Sequence, residues 1–248
     1  EKDGLVNAKD YQRRKAEAGF AGITWPKEYG GRGGTPIEQV IWSQEEGEYI
    51  ATRGYFEIGL GMIMPTLFAY GTEEQKRRYL PKALRGDEIW CQLFSEPAAG
   101  SDLAGLRTRA VRDGDDWVIT GQKIYTSLAA YADYIWLAAR TDPDAPKHQG
   151  ISIFAVPTAT PGFSYSTIHT LVASGTTNTF YDNMRVPASA LIGKVNKGWK
   201  LITNQLNYER VAIAPPGMVA KVYEDTAAWA RATKLPDGRR VIDQDWVR

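Results

Sequence analysis

Sulfur and imidazole are scarce in this chain, and each scarcity removes a class of chemistry. A single cysteine, Cys91, excludes an intrachain disulfide and a multi-cysteine metal site, reads as packing rather than as a nucleophile, and suits a reducing cytoplasm. The two histidines, His148 and His169, form neither a metal-ligand spacing nor a Ser-His-Asp pattern. Net charge is lacking too: 30 basic against 29 acidic residues leave +1, so no field gathers nucleic acid or an anionic membrane. The residues contain no signal-peptide pattern, no apolar run of membrane-spanning length and no short-period repeat. What is there is 248 residues, 43% of them hydrophobic, enough for a sizeable core in one large domain or two smaller ones. The expected partner is a small molecule or another protein.

Texture divides the chain in three. Up to about residue 89 it reads as helices separated by glycine-rich turns: a helical segment over residues 11–18 ended by Gly19, a loop in "WPKEYGGRGG" (residues 25–34), and an amphipathic helix over residues 36–49 carrying Ile37, Val40 and Ile41. Thr72 is an N-cap for a third helix running to about Leu84, with Glu73, Glu74 and Gln75 supplying acids and an amide to its first turn. Beyond Trp90 the segments "WVITGQKIYTS" (117–127), "YIWLAAR" (134–140), "ISIFAVP" (151–157) and "TFYDNMRVP" (179–187) are short, β-branched and aromatic, which predicts strands of a sandwich or barrel. Helical texture returns over residues 199–214 and 218–232, with Pro215-Pro216 between them. The order predicts an α+β protein, with a β domain (90–196) between a helical domain (1–89) and further helices (197–248).

The most unusual stretch is "LFSEPAAGSDLAG", residues 93–105. As residues alone it admits three readings. It is a polar surface loop; or Glu96 and Asp102 form a carboxylate pair of the kind glycoside hydrolysis needs; or "AAGSD" lets backbone N–H groups approach a phosphate or pyrophosphate, with Ser95 and Ser101 adding hydroxyls. It is neither a P-loop nor a dinucleotide-binding glycine fingerprint, because the lysine and the glycine spacing are wrong.

Quoted at length, "GTEEQKRRYLPKALRGDEIWCQLFSEPAAGSDLAG" (71–105) resembles the acyl-CoA dehydrogenase family, whose flavin signature runs hydrophobic-Ser/Thr-Glu-Pro-x-x-Gly-Ser-Asp. "WPKEYGG" and "GQKIYTS" are similar to two further landmarks of that family, in the same order. The resemblance covers essentially the whole chain. It implies a helical N-terminal domain, a middle β domain, the first helices of a C-terminal four-helix bundle, and a tetramer. By that comparison Glu1 to Arg248 is a fragment, short of some tens of residues at its start and of most of the bundle at its end.

Carried over position by position, the resemblance implies FAD along residues 92–101. Gln92, Leu93, Phe94 and Ser95 would lie along FAD, Phe94 and Ser95 meeting its ring, with Gly100 and Ser101 at the pyrophosphate or at the pantetheine of the substrate. Tyr125, Thr126 and Ser127 match the family's Trp-Ile-Thr, an aromatic wall followed by a hydroxyl at the flavin; tyrosine here replaces tryptophan. The implied reaction removes a proton beside the thioester carbonyl of an acyl-CoA and passes a hydride from the next carbon to flavin, with an electron-transfer flavoprotein as acceptor. Most relatives carry the base late in the bundle; a minority carry it on the first long bundle helix, where "LNYERVAIA" (206–214) puts Glu209. Asn207 and Arg210 match positions that meet the CoA portion. Lys234 and Asp237 stand where relatives have the arginine and phenylalanine of a loop that reaches a neighbouring subunit's FAD, so that contact is in doubt. In this departure the chain resembles actinobacterial relatives, some of them hetero-oligomers in which only one subunit type has a complete site, and the implied assembly is a homo- or hetero-tetramer. A half-site subunit, or an oxidase or monooxygenase on the same scaffold, stands as the alternative.

Overall fold

Helices, then strands, then helices succeed one another as the sequence predicts, and the protein is α+β. The structure, a computed structural model, describes residues 2–47, 49, 54–171, 175–212 and 216–247. The first helix, α1 (Lys2–Glu17), starts earlier than the periodicity marks because Ala8 is driven fully inside. Helix α2 (Pro36–Gly47) forms as expected, but its apolar stripe faces outward: Ile37, Val40 and Ile41 are 62%, 49% and 52% exposed. The inward face instead carries Glu46, which accepts hydrogen bonds from Tyr11, Lys15 and Trp42. Its end, Gly47, lies against Gly217, where a side chain on either glycine would meet the other's backbone.

A π-helical turn (Gly59–Ile63) runs into α3 (Met64–Tyr70), a pair of elements the sequence reading passes over because Gly59, Gly61 and Pro65 look like breakers. Pro65 sits in the first turn of α3, directly after the π-helical turn. Helix α4 (Glu73–Arg85) has the predicted Thr72 cap in its full reciprocal form: Thr72 Oγ1 accepts from the Gln75 N–H (3.2 Å) and Gln75 Oε1 accepts from the Thr72 N–H (3.1 Å). The same Gln75 amide donates to the Ser189 and Leu191 carbonyls at 3.0 and 2.8 Å, docking the helix onto the sheet.

Among the described residues eight strands make one sheet: β1 (Trp90–Leu93), β2 (Arg109–Asp113), β3 (Asp116–Thr126), β4 (Tyr134–Arg140), β5 (Ile151–Pro157), β6 (Phe163–Ile168), β7 (Thr176–Pro187) and β8 (Leu191–Ile192). Their order is β6-β7-β3-β2-β4-β5-β8, and β1 pairs in parallel with β4. The four predicted strands are β3, β4, β5 and β7. The others hide for separate reasons: β2 is charged, β6 is an exposed edge rich in serine and threonine, and β1 and β8 are very short.

The centre of the sheet is buried on both faces, and side-chain alternation separates two packing groups. Cys91, Leu93, Ile135, Leu137, Phe154 and Met184 pack with one another on one side. Trp90, Phe94, Trp136, Ile151 and Ile153 face Leu67, Leu80, Leu201 and Ile202 of the helices. Gln92 shares the alternation of Trp90 and Phe94, so β1 presents it toward α5 (Gly198–Ala212). Helix α6 (Pro216–Ala232) follows; Ala214 and Pro215 of the predicted break lie outside the described residues. No helix among the described residues is long and apolar enough to cross a membrane.

Candidate functional site

The stretch after β1 is a loop held by buried charge. Glu96, almost fully buried, accepts from the Arg107 N–H at 2.6 Å, the Thr108 N–H at 2.9 Å and Lys123 Nζ at 2.8 Å. Lys123 is 1% exposed and also donates to the Phe94 carbonyl at 2.9 Å. Burial drives the Lys123 pKa down, to about 8, against the opposing pull of Glu96. Burial alone would raise the Glu96 carboxyl; the lysine charge and the three donors outweigh it and hold Glu96 below its ordinary value. The Glu96–Asp102 acid-base pair is therefore overturned: Glu96 is capped on both oxygens, and Asp102 lies at the surface on Lys147, 2.6 Å away. A second buried cation, Arg140, donates to the Ala104 carbonyl at 2.6 Å and the Gln149 carbonyl at 2.7 Å, tying the far end of the loop to β4. Where the chain returns past β3, Gly121 is obligatory: its φ is 152°, and a Cβ would lie 2.7 Å from the Thr108 Cα.

Strand β3 delivers the other half of the site. Its ladder to β7 slips between Lys123 and Thr126, so alternation breaks: Lys123 and Thr126 are both buried while Tyr125 is turned out, 68% exposed. Tyr125 adopts φ 57°, left-handed backbone that costs a non-glycine residue about 1–3 kcal/mol and gathers at functional sites. The Ile124 N–H donates to the Ser95 carbonyl at 2.9 Å, which runs the loop beside this bulge. Thr126 Oγ1 is buried and, among the described residues, has no hydrogen-bond partner. Such an orphan costs about 1–3 kcal/mol unless a ligand answers it.

Helix α5 closes a third side. Gln205, fully buried, donates to Gln92 Oε1, and Gln92 Nε2 donates to the Glu209 carboxylate at 3.4 Å. Gln205 and Glu209 are one turn apart and so share a face of α5. Glu209 itself is half-buried.

Domain models of the acyl-CoA dehydrogenase family match nearly every residue: the N-terminal domain at 1–87, the middle domain at 91–184 and the C-terminal domain at 196–248. The chain belongs to the acyl-CoA dehydrogenase family. It is 47% identical over 233 residues to acyl-CoA dehydrogenase FadE26 of Mycobacterium tuberculosis, covering 93% of this chain and 58% of that protein. Among solved structures it is similar to one described as Tcur3481-Tcur3483 steroid ACAD, with 47% identity and a TM-score of 0.85 over 97% of this chain and 61% of that one. It is also similar to the ChsE4-ChsE5 complex of Mycobacterium tuberculosis, with 45% identity and a TM-score of 0.83 over 96% of this chain and 62% of that one. The chain thus spans about three fifths of the length of these relatives.

The residues of this acyl-CoA dehydrogenase family member fit a flavin. An aromatic face turned out at Tyr125, the exposed hydroxyl of Ser127, and open space around Gly100 within 4 Å of a notional Cβ are what a bound ring and a phosphate would use. Hydrogen bonds join Gln92 to Glu209, and Ser95 and Phe94 to Ile124 and Lys123 of β3, just before Tyr125 and Thr126. The Leu93 side chain is fully buried on the opposite face, leaving only its backbone to offer. Gly100, Ser101 and Ser127 are exposed. Asn207 and Arg210 are also exposed, and Asn207 stands roughly opposite Gln205 on the helix, given about 100° per residue. Asp237 is bound to Arg239 at 2.8 Å, and Lys234 pairs with Arg240 through backbone. Cys91 is fully buried, and burial pushes its thiol up. Among the described residues no group of acids, cysteines and histidines could hold a metal ion.

Sequence reasoning missed Lys123 and Gln205. A lysine inside an otherwise strand-forming run was a usable signal, because a long cation there must either reach solvent or find a buried acid. Gln205 carried none.

Proposed function

We propose that the full-length protein is a cytoplasmic, FAD-dependent acyl-CoA dehydrogenase that forms a 2-enoyl-CoA and passes electrons to an electron-transfer flavoprotein. The observation that carries this reading is the contact between Gln92 and Glu209. A carboxylate beside the strand that leads into the Ser95 loop supports a reading in which the base and the flavin half-site share one cleft. Glu209 takes the proton next to the thioester carbonyl. When bound, FAD supplies the acceptor for the hydride from the neighbouring carbon. Tyr125 walls one side of the cleft, and the exposed Ser127 hydroxyl, at the position of the family's threonine, would donate a hydrogen bond toward the ring, where negative charge gathers. Gly100 gives clearance for phosphate, and Ser95 and Ser101 supply hydrogen bonds. Arg210 and Asn207 offer the CoA portion a cation and an amide at the rim.

Anaerobic mixing of the FAD-loaded full-length protein with acyl-CoA thioesters of graded size, a steroid side-chain thioester among them, should bleach the flavin absorbance. Glu209→Gln should slow that bleaching by about 10²–10⁴-fold. A protein that stays colourless with added FAD, or a variant that bleaches at the original rate, would end this reading. Rapid oxygen uptake during turnover would instead favour an oxidase.

A second reading, an assembly of two kinds of subunit, draws support from the two chain names in each of the solved structures at 47% and 45% identity. Native mass measurement after co-expression with candidate partner chains checks it: a stable homotetramer alone would reject it.

A further inference from the structure

We propose that Gln205 is a positioning residue that acts through Gln92 to aim the Glu209 carboxylate; the inference rests on Glu209 being the base. Its logic is one of donors and acceptors. An ionised carboxylate only accepts, so the end of Gln92 that faces Glu209 at 3.4 Å is its NH₂ group. The other end, Oε1, must then accept, and Gln205 Nε2 supplies the donor. Gln205 is fully buried and spends its amide on this one task, since its Oε1 has no partner among the described residues. A symmetric choice of packing residue at that position would be apolar, as Leu201 and Ile202 are one turn earlier on the same helix. An amide retained at such a cost, pointed at a second amide that reaches a half-buried acid, forms a directional relay rather than filler. With Gln205 removed, Gln92 is free to rotate and present its carbonyl oxygen to Glu209, which repels the carboxylate.

The test uses the full-length, FAD-loaded protein and stopped-flow flavin reduction with an acyl-CoA that bleaches it. Gln205→Met keeps the volume and deletes both amide ends. It should lower the limiting reduction rate about tenfold, leave FAD content unchanged, and enlarge the isotope effect from a substrate deuterated at the carbon beside the carbonyl, because proton removal becomes harder. Gln205→Glu reverses the relay, drawing the Gln92 NH₂ to itself, and should be slower still. Because Gln205 works only through Gln92, Gln92→Met combined with Gln205→Met should be no slower than Gln92→Met alone. Independently of activity, a crystal structure of the Gln205→Met apoprotein should show the contact between Gln92 and Glu209 broken.

An original rate and isotope effect in Gln205→Met, additive losses in the double variant, or a preserved contact in its crystal structure would overturn the relay. If Gln205→Met does not fold, Gln92→Met decides alone: its rate must fall with the enlarged isotope effect. Glu209→Gln separates the two claims. An inactive Glu209→Gln beside a fully active Gln205→Met sinks only the relay, whereas an active Glu209→Gln sinks the base assignment beneath it.

Discussion

The sheet and the helix α6 use charge in opposite ways. In the sheet, Lys123, Glu96 and Arg140 are taken out of water and satisfied by a loop's backbone, so that breaking one contact leaves a buried charge. In α6, the Lys221–Asp225 pair stands in solvent, and Val219, Val222, Tyr223 and Trp229 are exposed beside it. The contrast teaches where the proposed cofactor half-site gets its order. Residues 94–108 bury Phe94, Ala99, Ala104 and Leu106, and ionic and hydrogen-bond partners from β3 and β4 fix the polar remainder, one of them setting Ser95 against Ile124.

Removing the buried cation is the most severe way to break this comparison. Lys123→Met leaves Glu96 buried and unpaired and should cost about 3–5 kcal/mol in denaturant unfolding of the full-length apoprotein. Adding Glu96→Gln should recover most of that loss, since no unpaired carboxylate then stays inside. Lys221→Met should change nothing measurable, as an exposed pair is screened; equal losses at the two lysines would erase the distinction.

Acid sharpens it next. Because the folded protein holds the Glu96 carboxyl below its ordinary value of 4.5, the stability it adds is complete above that value and is lost as pH falls through the lower, folded value. Denaturant midpoints measured from pH 7 downward should therefore fall more steeply for the natural protein than for Glu96→Gln. Parallel slopes would place the acid sensitivity elsewhere.

The smallest effect belongs to the helical side. Thr72→Ala deletes half of the reciprocal cap and should cost about 1 kcal/mol in thermal or denaturant unfolding, with FAD affinity unchanged. A loss of FAD affinity would show that α4 helps to hold the site.

Legibility followed locality. The Thr72 cap, β4 and β5 were readable because a cap and an alternating apolar run are properties of neighbouring residues. The β6 strand was not, since its serine and threonine side chains face water and only pairing with β7 makes it a strand. Helix α2 shows a limit of periodicity: its stripe of Ile37, Val40 and Ile41 predicts a helix correctly and its buried face wrongly, because what packs inward is Gly47 on Gly217. At the site, Tyr125 and Thr126 were legible only through the family resemblance. The bulge that turns one out and buries the other depends on register with β7.

By itself the sequence determined that the chain is a charge-balanced α+β protein of the acyl-CoA dehydrogenase family, since composition, caps, alternation and signature motifs are written in adjacent residues. Only the tertiary structure decided that Glu96 is a structural anion on Lys123 rather than an acid catalyst, and that Gln205, Gln92 and Glu209 form one chain of hydrogen bonds. The reason is that a charge or an amide has no fixed role until folding chooses its partner and removes the water that would otherwise compete for it.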